Sequence, residues 1–320
     1  GDTDIITSNL KTSDVALFPN KGKGVFSGGS KYSVPKGPLA TEVIDIDNDK
    51  DPDIAVLCFS AGKVSIMQNH GKASFTVSEG YKVTGSSAHL CSGDFNSDGN
   101  IDLATANSNS SDISILLNKG SGNFETERKI KLPENVFRIA CQDFNNDSKP
   151  DITVISRSKV YVMINSGSGD YFSDYKPYDT GQNTQNIKAE DINGDGSFDL
   201  AVVNANQELK VFINDGKGTF ELEETLMTGS VPLDIAVLDV NGDGRKDLVT
   251  ANKNSKDLSV FLKRENKTHA PAMNYDLRIE PSAVYVMDTN DDGVASDMAI
   301  VSSKSGVLAI LVNTYGKNLR

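Results

Sequence analysis

The sequence has no tryptophan, three cysteines, three histidines and ten prolines in 320 residues, and each scarcity excludes something. Without tryptophan the broadest platform for stacking on a sugar ring is missing, so nine tyrosines are what remains for that task. The cysteines, Cys58, Cys91 and Cys141, are an odd number in a long chain, which excludes the disulfide framework of a small secreted domain. Cys91 lies three residues before Asp94 and Cys141 two before Asp143, so in equivalent strands they face opposite sides; all three are expected to be small buried hydrophobes. No apolar run approaches the roughly 18 residues of a spanning helix, so membrane insertion is not expected. The chain opens on glycine with no basic-then-apolar leader, and a mature or engineered start is expected.

What is abundant is acid. The net charge is −12 and the pI near 4.8, which sets the chain against unaided binding to a nucleic-acid backbone or an anionic membrane surface and asks for a counter-cation. With 38% hydrophobic and 24% charged residues the chain can bury a core and is not disordered.

A repeat of about 49 residues organises the chain. Six segments share one pattern, Asp45–Asp53 (DIDNDKDPD), Asp94–Asp102 (DFNSDGNID), Asp143–Asp151 (DFNNDSKPD), Asp191–Asp199 (DINGDGSFD), Asp239–Asp247 (DVNGDGRKD) and Asp288–Asp297 (DTNDDGVASD). A seventh is cut short at the start, where Gly1 to Asp4 matches Gly196 to Asp199. The closing aspartates at 4, 53, 102, 151, 199, 247 and 297 are 48 to 50 residues apart, so there are seven units. Each continues with a short apolar run such as Leu200 to Val203, a polar turn, an alternating run ending in Asn such as Leu209 to Asn214, and a glycine turn closed by an aromatic such as Gly216 to Phe220. Two more strands complete the unit, and four strands per 40–50 residues without helical periodicity predict an all-β, seven-bladed β-propeller with four-stranded blades. The expectation is one propeller domain over residues 1–320, its first and last blades incomplete because half a unit is missing.

The aspartate loops carry the chemistry. In D-x-[DN]-x-D-G-x-x-D, oxygen ligands at positions 1, 3, 5 and 9 converge on one hard cation, and an all-oxygen set selects calcium. The expected ligands are Asp45, Asp47, Asp49 and Asp53; Asp94, Asn96, Asp98 and Asp102; Asp143, Asn145, Asp147 and Asp151; Asp191, Asn193, Asp195 and Asp199; Asp239, Asn241, Asp243 and Asp247; and Asp288, Asn290, Asp292 and Asp297. Six Ca²⁺ ions would offset the formal charge of −12. An EF-hand needs Glu at position 12, where this chain has Val56, Thr105, Val154, Val202, Thr250 and Ala299. Plain polar turns would crowd unpaired carboxylates at fixed register in every copy. The loops at Asp94, Asp191 and Asp239 are the best formed; Lys50 and Ser148 replace the loop glycine in two others, and the last loop has an extra residue. The calcium is expected to be structural.

These loops, the D-[IL]-[AV] strands after them and the G-x-G-x-F turns resemble the FG-GAP and VCBS-type repeats found in integrin α propellers, some fungal lectins and many secreted bacterial proteins. The resemblance covers essentially the whole chain and implies a seven-bladed propeller with calcium in inter-strand loops. It implies fold more than function. One unit departs, carrying Arg264 to Pro271 where the glycine turn belongs.

Five residues before the metal loops stand Ala40, His89, Arg138, Asn186, Asp234 and Ala283, and the four polar ones are candidates for a ligand-binding channel mouth. His70 and His269 are expected on the surface. The main reading is an extracellular, calcium-stabilised binding module, lectin-like or an adhesin, with a glycan or an extracellular protein as ligand; no catalytic residue is assigned. The alternative is a polysaccharide-acting enzyme such as a lyase, with His89, Arg138 and Tyr275 as base, carboxylate neutraliser and acid. Weak oxygen sites fill at extracellular calcium, so a secreted or cell-surface location is expected.

Overall fold

A computed structural model describes residues 4–22, 25–71, 74–84, 86–167, 172, 175–289 and 296–313. Its strands form seven antiparallel sheets, each built from consecutive strands of the chain. The third sheet is typical, with Ser87–Gly93 innermost, then Asp102–Asn107, Asp112–Leu116 and Arg128–Lys131 at the rim. The innermost strands of the second to seventh sheets are Pro38–Ile44, Ser87–Gly93, Arg138–Gln142, Thr184–Glu190, Pro232–Leu238 and Ala283–Met287, and each packs beside the next. The fold is a seven-bladed β-propeller. Its first blade holds Ile5–Asn9, Asp14–Phe18 and Ser30–Ser33 and its seventh Ala283–Met287, Asp297–Ser302 and Val307–Leu311, three described strands apiece.

The second strand of each blade explains the unbroken apolar runs. Asp53–Cys58, Asp102–Asn107, Asp199–Asn204 and Asp247–Asn252 are buried at every position, because blades cover both faces of the sheet between them. The core is accordingly divided among the seams. Leu103 and Leu116 of the third blade pack with Ala55 and Leu57 of the second, and Ile113 and Ile115 of the third with Ile152 and Val154 of the fourth. At roughly 25 cal/mol per Å² of apolar surface buried, this repeated stacking is the main driving force for the ring.

In four blades the asparagine at the end of the third strand ties the blade to the one before. The side-chain amide of Asn118 donates to the Ile46 carbonyl (2.8 Å), Asn165 to Phe95 (3.0 Å), Asn214 to Phe144 (2.8 Å) and Asn313 to Val240 (2.9 Å). The sixth blade has Lys263 instead, whose Nζ reaches the Ile192 carbonyl at 3.2 Å. Among the described residues the seam between the seventh and first blades is the least filled. Ile5, Met287 and Ala299 are its buried core, a cleft of about 820 Å³ runs beside them, and the Asn20 amide nitrogen is buried without a partner among the described residues.

Candidate functional site

The aspartate loops join the innermost strand of a blade to its second strand, and each is knit by its own carboxylates. The first aspartate accepts main-chain N–H groups from positions 5 and 6: Asp94 from Asp98 (3.1 Å) and Gly99 (2.8 Å), Asp191 from Asp195 (3.1 Å) and Gly196 (3.0 Å), Asp239 from Asp243 (3.1 Å) and Gly244 (2.7 Å). Asp45 and Asp143 make the same pair of bonds, to Asp49 and Lys50 and to Asp147 and Ser148. Lys50 (φ 73°) and Ser148 (φ 69°) hold the left-handed turn that Gly99 (φ 87°) makes without strain, at a cost of about 1–2 kcal/mol each. The two loops lacking glycine therefore keep the same path. Asn290 and Asp292 lie outside the described residues.

The closing aspartate lies deeper. Asp53, Asp102, Asp151, Asp199, Asp247 and Asp297 are fully buried, one oxygen accepting the N–H of loop position 2 and the other the N–H of the residue ending the third strand. Burial, with the neighbouring aspartate charges acting the same way, pushes Asp102 up to about 7 and Asp151 up to about 6. An ionised carboxylate has about four acceptor sites, so each oxygen of Asp53, Asp102, Asp151 and Asp247 keeps a lone pair for a cation, whereas Oδ2 of Asp199 and of Asp297 accepts a second hydrogen bond and leaves that role to Oδ1. In the second blade Asp45, Asp47 and Asp49 bring carboxylate oxygens within 4.8 Å of one another. Hard, crowded oxygen donors beside a buried carboxylate fit Ca²⁺ as a donor set.

About 16 Å from the loops, five residues back along the inner strands at about 3.3 Å each, lies the other end of the channel. Four inner strands carry a β-bulge there. Register shifts after Pro38, before His89, after Thr184 and after Pro232 precede Ala40, His89, Asn186 and Asp234. A bulge re-aims the side chain beside it. Asn186 donates its amide to Asp234 (2.7 Å) and to the Leu233 carbonyl (3.2 Å). Asp234 also accepts the N–H of Ile235 and of Val284, both at 2.9 Å, so its carboxylate is held by three donors from three successive blades. His89 places Nδ1 3.1 Å from the Ile139 carbonyl, so Nδ1 carries the hydrogen and Nε2 is an acceptor. Burial, reinforced by the Arg138 charge, drops the His89 pKa to about 4. Arg138 is itself pulled down by burial and held up by Asp234. The four candidates thus form one electrostatically connected arc over the third to sixth blades.

A family model for the FG-GAP-like repeat matches residues 45–104, 143–202 and 191–250, more than half of the chain. The chain belongs to the FG-GAP-like repeat family. No curated protein matches it in sequence. Among solved structures this FG-GAP-like propeller is similar to BBS1N in complex with ARL6DN (15% identity, all of this chain and 95% of that one, TM-score 0.64). It is similar to an Agrocybe aegerita lectin that recognises non-reducing terminal N-acetylglucosamine (17%, 98% and 91%, 0.60). A third is virginiamycin B lyase from Staphylococcus aureus (13%, 97% and 92%, 0.64). At such identities the likeness is one of fold.

Three expectations about the FG-GAP-like repeats are corrected by the geometry. Cys91 and Cys141 are not separate buried thiols but a disulfide, with Cα atoms 5.8 Å apart, and Cys58 alone is free and buried. Facing opposite sides of equivalent sheets is what two neighbouring blades require, because the front of one packs on the back of the next. His269 is not a surface residue: it is 5% exposed and pairs antiparallel with Lys263, as Phe124 pairs with Asn118. Its Nδ1 lies 3.0 Å from Glu224, replacing the aromatic staple that Tyr81–Phe124 and Tyr178–Phe220 make at other seams. Counting six residues on from the strand-ending position would have found it. Tyr275 lies on the rim strand Met273–Asp276, away from the innermost strands that hold His89 and Arg138, so the acid–base trio is not assembled. Tyr285, 60% exposed on the innermost strand of the seventh blade, is the channel aromatic that the sequence reading missed.

Proposed function

We propose that this FG-GAP-like propeller is a calcium-stabilised extracellular binding module, lectin-like, that takes a glycan at the channel mouth opposite its aspartate loops. The observation that carries this reading is the arc of His89, Arg138, Asn186 and Asp234, brought to one end of the channel on four successive blades and re-aimed there by β-bulges in three of them. Concave mouths with a few convergent polar groups are the usual form of a small-ligand site. Calcium belongs at the other end. The six aspartate loops would hold it through positions 1, 3, 5 and 9, where it would neutralise crowded carboxylates and brace each blade's inner hairpin. The Cys91–Cys141 disulfide supports an oxidising compartment, as does the millimolar calcium that weak oxygen sites need.

A glycan and polysaccharide binding screen in about 1 mM calcium tests the reading, with bound sugars recovered and weighed. Intact bound glycan, lost in Asn186→Ala and His89→Ala, is the expected result. Binding of an extracellular protein with no glycan retained would replace it. Cleaved product would favour the lyase, for which the channel offers the neutral His89 and Arg138 but not Tyr275.

A further inference from the structure

We propose that the sugar this channel takes is acidic: a uronic-acid unit whose carboxylate is held by Arg138 and Lys188 and whose ring lies against Tyr285. The inference rests on the glycan reading above and narrows it.

The acids of the channel are already engaged. Asp234 accepts three hydrogen bonds, Glu42 accepts one from the Ser92 hydroxyl at 3.3 Å, and Glu190 faces Lys246 Nζ at 3.7 Å. The cations are not. Among the described residues neither Arg138 nor Lys188 makes an ion pair within 4.0 Å or donates a side-chain hydrogen bond, although the Asp234 charge acts on both and the Glu42 charge on Lys188. In a chain of net charge −12 these charged groups balance, Arg138, Lys188 and Lys246 against Glu42, Glu190 and Asp234, and the two cations without contact partners are what remains to pair with an anion. A half-buried guanidinium has lost water without gaining an acceptor, and its planar fork matches a carboxylate.

The remaining groups suit a sugar. Lys188 and Tyr285 line the same cavity of about 650 Å³, within the usual 300–1,000 Å³ of ligand pockets. The cavity also takes in Asp239 and Arg245 of an aspartate loop; Arg138 stands outside that lining and is tied to Tyr285 and Asp234 by charge. Tyr285 is 60% exposed although it sits on an innermost strand, and Arg138 and Asp234 both act on its hydroxyl. An exposed ring beside a cation offers a sugar an apolar face next to the place where its carboxylate binds. His89 Nε2, the free acceptor left by the bond of Nδ1 to Ile139, takes a hydroxyl hydrogen.

The test is calorimetric titration, in about 1 mM calcium, with a panel of galacturonate, glucuronate and mannuronate oligomers, their carboxyl-reduced neutral counterparts, and poly-glutamate. At least one uronate oligomer is expected to bind, with its reduced counterpart at least tenfold weaker. Arg138→Met, Lys188→Met and Tyr285→Ala are each expected to weaken the uronate at least tenfold; Lys188 and Tyr285 are exposed, so the last two variants should melt with the wild type. Equal binding of reduced and parent oligomers would overturn the acidic assignment and leave the glycan reading standing. No binding by sugars of either kind would bring down both. Poly-glutamate binding that survives Tyr285→Ala, without uronate binding, would make the ligand an acidic peptide and overturn the proposal.

Discussion

At the scale of residues, a buried polar group is worth what its partners make it. Asn118 is 1% exposed, donates to the Ile46 and Ile101 carbonyls (2.8 and 3.1 Å) and accepts the Gly120 N–H (3.0 Å). Asn118→Leu keeps the branching of the side chain and strands three main-chain groups, so a loss of about 2–4 kcal/mol is expected in urea unfolding. A loss below about 0.5 kcal/mol would show that the amide does not tie the second and third blades together. His89 is a second case. Because burial and the Arg138 charge both disfavour its cation, its imidazole resonances should titrate with a midpoint near 4, separable by NMR from those of only two other histidines. A midpoint near 6.5 would place the ring in water and remove it from the channel wall.

Elements show what was legible and what was not. The loops, the apolar second strands and the Asn-ended third strands could be read from repetition: the alternating run Leu209 to Asn214 is the strand Glu208–Asn214, and Leu200 to Val203 lies in Asp199–Asn204. Relations between elements of different blades were not legible, because a repeat aligns equivalent positions without saying which faces stack. That is why Cys91 and Cys141 read as unrelated and Tyr285 went unnoticed. The disulfide links residues 50 apart, and loop-closure entropy values such a crosslink at about 4 kcal/mol. Cys91→Ser with Cys141→Ser, or reduction, should lower the melting temperature by several degrees; an unchanged melt would mean that the inner strands do not need it.

The seam between the fifth and sixth blades adds a pH dependence. His269 is buried among Glu224, Lys263 and Asp247, and burial outweighs Glu224 to hold its pKa below the ordinary 6.5. The folded state then binds this proton less readily than the unfolded chain. The stability tied to neutral His269 is full above pH 6.5 and is lost as pH falls toward the lowered folded value. His269→Phe, the residue found here as Phe124 and Phe220 in other blades, should flatten the fall in stability between pH 7 and 5 relative to the wild type. Identical slopes would assign the dependence to other groups.

For the whole molecule, the ring is a sum of seams, each with its own apolar cluster and most with a side-chain tie to the preceding blade. The acidic loops stand at one end and the polar arc at the other, and the cavity of Lys188 and Tyr285 reaches the Asp239 loop between them. Fully buried carboxylates such as Asp102 and Asp199, raised by burial and then by the aspartates of their own loops, are the cost that a cation would offset. The most direct measurement is thermal melting of the same protein in about 1 mM calcium and in excess EDTA. A site with a dissociation constant of about 10⁻⁵ M adds roughly 2.7 kcal/mol at that concentration, so calcium is expected to raise the melting temperature by several degrees, and magnesium far less. Superimposable curves in calcium and EDTA would contradict a calcium-stabilised propeller.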